Sequence, residues 1–379
     1  MIAITNGKIF NGIDFSSDKT LIIKEDKILN IINSKDLLLK YPNVSIYDAN
    51  NSYITPGFID LQLNGCGGVL FNESISRETL EVMNKTNLKY GCTSFTPTLI
   101  TTSDENIRAA LDLIDSLEDK ESIGVLGLHI EGPFISLEKK GVHNPKFIRP
   151  MDDAILNRIT QTGKKGVKII TVAPENMKGE HISALANSGI KVALGHTNAT
   201  YEEIVDKKIY GITLATHLYN GMSSFTHRAP GAMGATMNLD ICAGIIADGF
   251  HCHYASLEMA HKLMGDRLYL VTDAAAPAGT DIKEFDFEGT KVFHENGKLF
   301  TADGTLGGSA LTMIAGVVNL VNNCKMSFEE AVRMATIYPA KAISIDNEYG
   351  KLQPGYFADI NIIDKDLKLK QVISKGKLV

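Results

Sequence analysis

The sequence predicts an α/β fold, a (β/α)8 barrel with a small β-domain assembled from both ends of the chain. Three features predict it. From about residue 55 to 346, short apolar runs alternate with helical stretches, the mark of a parallel sheet built from βαβ units. Eight such runs follow one another, which favours a closed barrel; an open doubly wound sheet is the other reading. The two termini are β-rich and unlike the middle.

The first domain begins with Ala3–Phe10, the hairpin-type turn Asn11-Gly12, and the Leu/Ile-rich stretch Lys19–Ile32. The same character returns in Phe357–Ile363 and Gln371–Ser374, after the turn Pro354-Gly355. Residues 1–54 and 347–379 are therefore expected to form one β-domain, and 55–346 the barrel. The barrel strands are expected at Ile54–Leu63, Cys92–Ile100, Ile123–Ile130, Val167–Val172, Ile190–Gly195, Gly211–Thr216, Cys242–Ala247 and Leu268–Thr272. Helices are expected at Arg77–Tyr90, Asp104–Leu117, Asp152–Thr162, Tyr201–Lys208, Tyr254–Met264, Ala310–Asn322 and Phe328–Ile337. Ser327 followed by Glu330 is a capping-box pattern for the last of these.

Bulk properties narrow the function classes. A net charge of −6 gives no general attraction to nucleic acid, so an anionic ligand needs a local basic site. No apolar run approaches the ~18 residues of a membrane span. The N-terminus, Met1–Lys8, lacks the pattern of a signal peptide. Five cysteines, an odd number without CxxC, suit packed thiols in a reducing cytosol rather than a zinc ribbon. A cytoplasmic protein is the expectation.

The residues after the strands carry the chemistry. Strand one ends at Gln62 and Asn64, strand three at Glu131, strand five at His196, strand six at His217, strand seven at Asp248 and His251, and strand eight at Asp273. In a barrel these positions share one rim. Taken singly, His196 or His217 reads as a hydrogen-bonded structural histidine, Glu131 as a cap or ion-pair member, and Asp273 as a helix cap. Taken together they form a mononuclear metal site: Glu131, His196 and His217 as ligands, with a position left for water. Asp273 remains to take a proton from that water and return it to a leaving group. His129 shares a strand face with Glu131 and is expected to be a supporting core residue.

Several motifs then resemble one family. Pro56-Gly57-Phe58-Ile59-Asp60 is similar to the amidohydrolase superfamily. Leu128–Phe134, Gly195–Thr200, Ala215–Gly221 and Val271–Asp273 resemble its N-acetylglucosamine-6-phosphate deacetylase family, in order and over nearly the whole chain. The resemblance implies a TIM barrel with a β-sandwich from both termini. It also implies hydrolysis of the N-acetyl group of a phosphorylated amino sugar, and a homodimer. Most of the superfamily carries His-x-His at the end of strand one to bind a second metal. Here Gln62 and Asn64 stand in those positions, and amides are poor ligands for zinc or iron. One divalent metal is expected, zinc first, with iron, cobalt or manganese also suited to the set.

The resemblance further implies that His143 helps polarise the acetyl carbonyl and that Arg228 binds the phosphate from across a dimer interface. It implies that Val142, Asn220, Gly221, His251 and the loop residues Leu306, Gly307 and Gly308 contact the sugar. Without the resemblance, His143 and Arg228 read rather as solvent-exposed loop residues. His227 and His253 match no role. A deacetylase for the galactosamine epimer, an inert structural relative and a phosphosugar-binding sensor are the alternatives.

Overall fold

A computed structural model describes residues 1–379. Eight parallel strands form one sheet, in sequence order around it. They are β1 (Phe58–Leu63), β2 (Cys92–Ile100), β3 (Leu128–Glu131) and β4 (Val167–Val172). They continue with β5 (Lys191–Leu194), β6 (Ile212–Ala215), β7 (Cys242–Ile246) and β8 (Leu268–Val271). A parallel bridge between Leu63 and Ala274 brings the end of β8 back to β1. There Asp273 N donates to Gln62 O and Asn64 N to Ala274 O, each at 2.9 Å. β2 and β8 are buried along their whole length, as strands covered on both faces must be.

Local sequence sets the intervening helices. Asp152 caps Asp153–Gly166 by accepting from Ile155 N, and Ser103 caps Asp104–Ser116 by accepting from Asn106 N. Thr200 and Glu203 form a reciprocal capping box on Tyr201–Lys208. Ser327 accepts from Glu330 N at the start of Phe328–Ala335. Helices at Gly179–Asn187, between β4 and β5, and at Gly231–Asn238, between β6 and β7, were not anticipated.

Some boundaries differ from expectation. The run Ile54–Leu63 is two strands: Tyr53–Pro56 pairs outside the barrel, and β1 starts after Gly57. Both halves are apolar, so periodicity does not separate them. The run Ile123–Ile130 enters as a 3-10 turn over Lys120–Ile123, and β3 itself includes Glu131. A three-stranded antiparallel sheet, Glu284–Phe287, Thr290–Glu295 and Lys298–Thr301, is inserted after β8 and was not expected.

By contact the chain divides into two units. One takes residues 1–59, 87–94 and 313–379; the other takes 60–86 and 95–312. The first unit contains two β-sheets. One orders Lys27–Asn33, Lys19–Lys24, Ile2–Thr5 and Ser45–Asp48. The other pairs Ile360–Ile363 from the far end of the chain antiparallel to Tyr53–Pro56, which lies beside Lys8–Phe10. Ile4, Leu21 and Ile23 from the first sheet share a buried core with Ile9, Ile54, Ile360, Ile362 and Ile373 from the second. Both ends of the chain thus build one β-sandwich core. No helix is long and apolar enough to cross a membrane.

Candidate active site

The rim residues of β3, β5, β6 and β8 converge. Glu131, the last residue of β3, is 2 % exposed. Its Oε1 lies 3.1 Å from His196 Nε2 and 3.0 Å from His217 Nε2, and the two Nε2 atoms are 3.0 Å apart. His196 Nδ1 donates to Lys139 O at 2.7 Å. That orients the ring and turns Nε2 toward Glu131. His217 Nδ1 is buried with no hydrogen-bond partner.

Backbone geometry marks the same residues. His196, His217 and Asp273 all adopt positive φ, at 46°, 30° and 50°. Such conformations cost about 1–3 kcal/mol each for residues other than glycine and persist only where the surroundings enforce them. Two glycines make room. A Cβ at Gly195 would meet Thr171 Cγ2 at 2.7 Å, and one at Gly221, itself at φ 60°, would come within 3.0 Å of His196 Nδ1.

Asp273 sits beside the triad. Its Oδ1 accepts from Gln62 Nε2 at 3.1 Å and Asn64 Nδ2 at 2.8 Å. The same Gln62 nitrogen donates to Glu131 Oε2 at 3.0 Å. Because both its partners are carboxylates, Gln62 presents its N–H groups, and an N–H group cannot ligate a cation. Burial, with the Glu131 charge added, raises the Asp273 pKa to about 6. Burial opposes ionisation of Glu131, but hydrogen bonds from His196 and His217 hold its pKa well below the ordinary value. Burial likewise opposes charge on His217, and Glu131 outweighs it, raising that pKa to about 9. Glu131 and His217 thus each favour the other's charged form.

The donor set suits a divalent metal. Three N/O atoms 3.0–3.1 Å apart are close to the spacing of about 3.3 Å set by tetrahedral bonds of ~2.0–2.1 Å. Ligand-capable atoms of Glu131, His143 and His196 also lie within 4.8 Å of one another. His143 Nδ1 is 2.7 Å from the Thr101 hydroxyl, which orients the ring beside His196. Burial and the neighbouring His196 depress the His143 pKa, so the ring stays neutral. Of these groups, the atoms of Glu131, His196 and His217 are mutually closest. His129 has both nitrogens engaged, Nδ1 with Leu61 O at 3.0 Å and Nε2 with Thr171 Oγ1 at 2.7 Å. It braces the barrel interior, as expected.

The site opens into a cavity of about 270 Å³. Of the residues expected there, Asn64, Glu131, Val142, His143, His196, His217, Asn220, Gly221, His251, Asp273, Leu306 and Gly308 line it. His251 Nδ1 is held by Asp248 Oδ2 at 2.7 Å. Gly307 stands behind the wall, against Val142 and Val292. Arg228 does not line the cavity; it lies in an exposed loop after β6. Ile100, Gly141, Phe287 and Thr305 also line it and were missed. Phe287 lies on the inserted sheet, which had no strand signal of its own.

A parallel barrel whose rim gathers Glu, two His and Asp is the architecture of metal-dependent hydrolases, and the chain belongs to the amidohydrolase family, whose pattern matches residues 53–379. Two groups of relatives narrow this. The chain is 38% identical to the N-acetylglucosamine-6-phosphate deacetylase of Haemophilus influenzae, over 99% of this chain and 98% of that one. It is 37% identical to the N-acetylgalactosamine-6-phosphate deacetylase of Shewanella sp., over 88% and 84%. The crystal structure of N-acetylglucosamine-6-phosphate deacetylase from Pasteurella multocida superimposes with a TM-score of 0.95 at 39% identity, covering 100% and 99% of the two chains. A mutant of the Mycobacterium smegmatis enzyme, solved in complex with N-acetyl-D-glucosamine 6-phosphate, has a TM-score of 0.90 at 25% identity, covering 100% and 98%.

Proposed function

We propose that the chain hydrolyses N-acetyl-D-glucosamine 6-phosphate to D-glucosamine 6-phosphate and acetate, in amino-sugar catabolism. The observation that carries the reading is the meeting of Glu131 Oε1, His196 Nε2 and His217 Nε2 within 3.1 Å, beside a carboxylate left free of that triad. A divalent cation held by those three residues, zinc first among the suitable metals, would acidify water and polarise the acetyl carbonyl. Asp273 accepts the proton of the attacking water as its oxygen bonds to the carbonyl carbon. The same carboxyl then gives that proton to the nitrogen as the C–N bond breaks, releasing acetate and the free amine. Gln62 and Asn64 orient Asp273 for both transfers. Neutral His143 donates from Nε2 to the oxyanion, its Nδ1 accepting from the Thr101 hydroxyl.

His251, Asn220, Gly221, Val142, Leu306 and Gly308 hold the sugar, with Gly307 shaping the wall. Arg228 is the phosphate ligand, supplied in a homodimer to the neighbouring subunit's site, which accounts for its not lining its own cavity. We assign catalysis to residues 55–346 and the β-sandwich to 1–54 with 347–379, in a cytoplasmic enzyme. The test measures metal content and free-amine release together. About one metal per chain with turnover is expected; two metals per chain, or no amine released, overturns the reading. The relative acting on the galactosamine epimer favours a second reading, and kcat/KM for the two epimers decides between them.

A further inference from the structure

Between β3 and β6 only β4 sends no side chain into the cavity. At the level of Glu131 it offers Thr171, whose hydroxyl turns instead to His129 and Thr216. The loop after β4 contributes behind the site. Glu175 lies on the 3-10 turn Pro174–Asn176, and this turn is anchored where Ala173 N donates to Phe134 O at 2.9 Å and Asn176 Nδ2 to Ile135 O at 3.1 Å. Glu175 Oε2 accepts from the Thr197 hydroxyl at 2.5 Å, and Oε1 accepts from Asn198 N at 2.7 Å. Thr197 and Asn198 are the two residues directly after His196.

We propose that Glu175 is the positioning residue of His196, holding its left-handed backbone and so the aim of Nε2 at the cation. The inference rests on His196 being a metal ligand. A φ of 46° at a histidine relaxes unless the chain on either side is fixed. Before it, Gly195 N donates to Val172 O at 3.1 Å, and at the residue itself Ser136 N donates to His196 O at 2.8 Å. After it, Thr197 N donates to Gly221 O at 2.9 Å, and Glu175 takes the next two donors. Glu175 is the charged member of this group, and hydrogen bonds to a carboxylate are roughly twice as strong as neutral ones. Thr197 is fully buried, so without Glu175 its hydroxyl loses this acceptor where water does not reach. The loop then settles toward an ordinary φ, and the imidazole swings away from Glu131 and His217.

Cobalt(II) affinity and the visible spectrum of the cobalt-loaded protein test this, with His196→Ala as reference. Glu175→Ala is expected to bind cobalt 10–100-fold more weakly, the range typical of residues that orient metal ligands, with altered visible bands. Glu175→Gln, which keeps one acceptor for the two donors, is expected to fall between. Glu138→Ala, which removes a contact to the Asn198 side chain alone, is expected to match wild type. If His196→Ala binds cobalt like wild type, the metal-ligand reading fails. If His196→Ala loses cobalt while Glu175→Ala keeps wild-type affinity and spectrum, the positioning role alone is overturned. Weaker binding with an unchanged spectrum also overturns it, because general destabilisation does not move a ligand. Should Glu175→Ala not fold, Thr197→Val carries the test. It is expected to show a smaller loss with the same spectral change, and wild-type behaviour overturns the proposal.

Discussion

Gln62 donates to Asp273 through an amide nitrogen 3.1 Å from Oδ1, and that nitrogen also reaches Glu131 Oε2. One neutral side chain thus separates two buried carboxylates and hydrogen-bonds both. Replacing it with Ala or Leu removes a donor that stabilises ionised Asp273, so the Asp273 pKa rises. The base role proposed for Asp273 requires its ionised form. The acid limb of the kcat/KM profile is therefore expected to move upward by about one pH unit. Profiles of the variant and parent between pH 5 and 9 check this; coincident acid limbs contradict it.

Asp273→Asn is isosteric and loses the proton acceptor. Turnover is expected to fall by about 10²–10⁴, the usual contribution of a positioned acid/base group. Metal content should stay near that of the parent, since Asp273 lies outside the ligand triad. Steady-state rates with elemental analysis of the same preparation measure both, and retained turnover removes Asp273 from the mechanism.

Asp60 lies fully buried beneath this pair. It accepts from Gln62 N, Thr272 N and the Thr272 hydroxyl, tying β1 to β8. Burial raises its pKa to about 7, against the hydrogen bonds that favour the charge. With the folded pKa above the unfolded one, the native state binds the extra proton between about pH 4 and 7. This contribution is full below about pH 4 and is lost as pH rises through 7. Asp60→Asn is expected to keep the fold and flatten the pH dependence of Tm across that window; an unchanged slope refutes the linkage.

Arg228→Ala is expected to raise KM for the phosphorylated sugar at least 10-fold and to abolish preference over the unphosphorylated one. The guanidinium–phosphate contact proposed for Arg228 is what the substitution would remove. Mixing Arg228→Ala with Asp273→Asn subunits gives a sharper readout. If the arginine serves the neighbouring site, the mixture regains activity through hybrid dimers; no recovery contradicts service across the interface.

The barrel was legible because its strands are apolar runs separated by helical stretches, and four of them lead into Glu131, His196, His217 and Asp273. The break at Gly57 was not, since apolar strands flank it on both sides. Helix Gly231–Asn238 was hidden by its own glycines, which lower helix propensity. The inserted sheet 284–301 mixes charged and aromatic residues over short strands, and Phe287 went unnoticed with it. Glu175 was within reach. It follows β4 in Ala173-Pro174-Glu175-Asn176, and reading the end of strand four like the others would have found it.

The left-handed backbone at Asp273 bears on the history of such chains. A residue that strains the chain and sets a second carboxylate near Glu131 works against the stability of its own scaffold. Asp273→Gly is expected to raise Tm while abolishing turnover, the trade between durability and activity that working sites maintain. Once selection for catalysis lapses, position 273 becomes free to drift toward glycine or asparagine. Dormant descendants of this lineage should carry that mark while Glu131 still lies between its histidines.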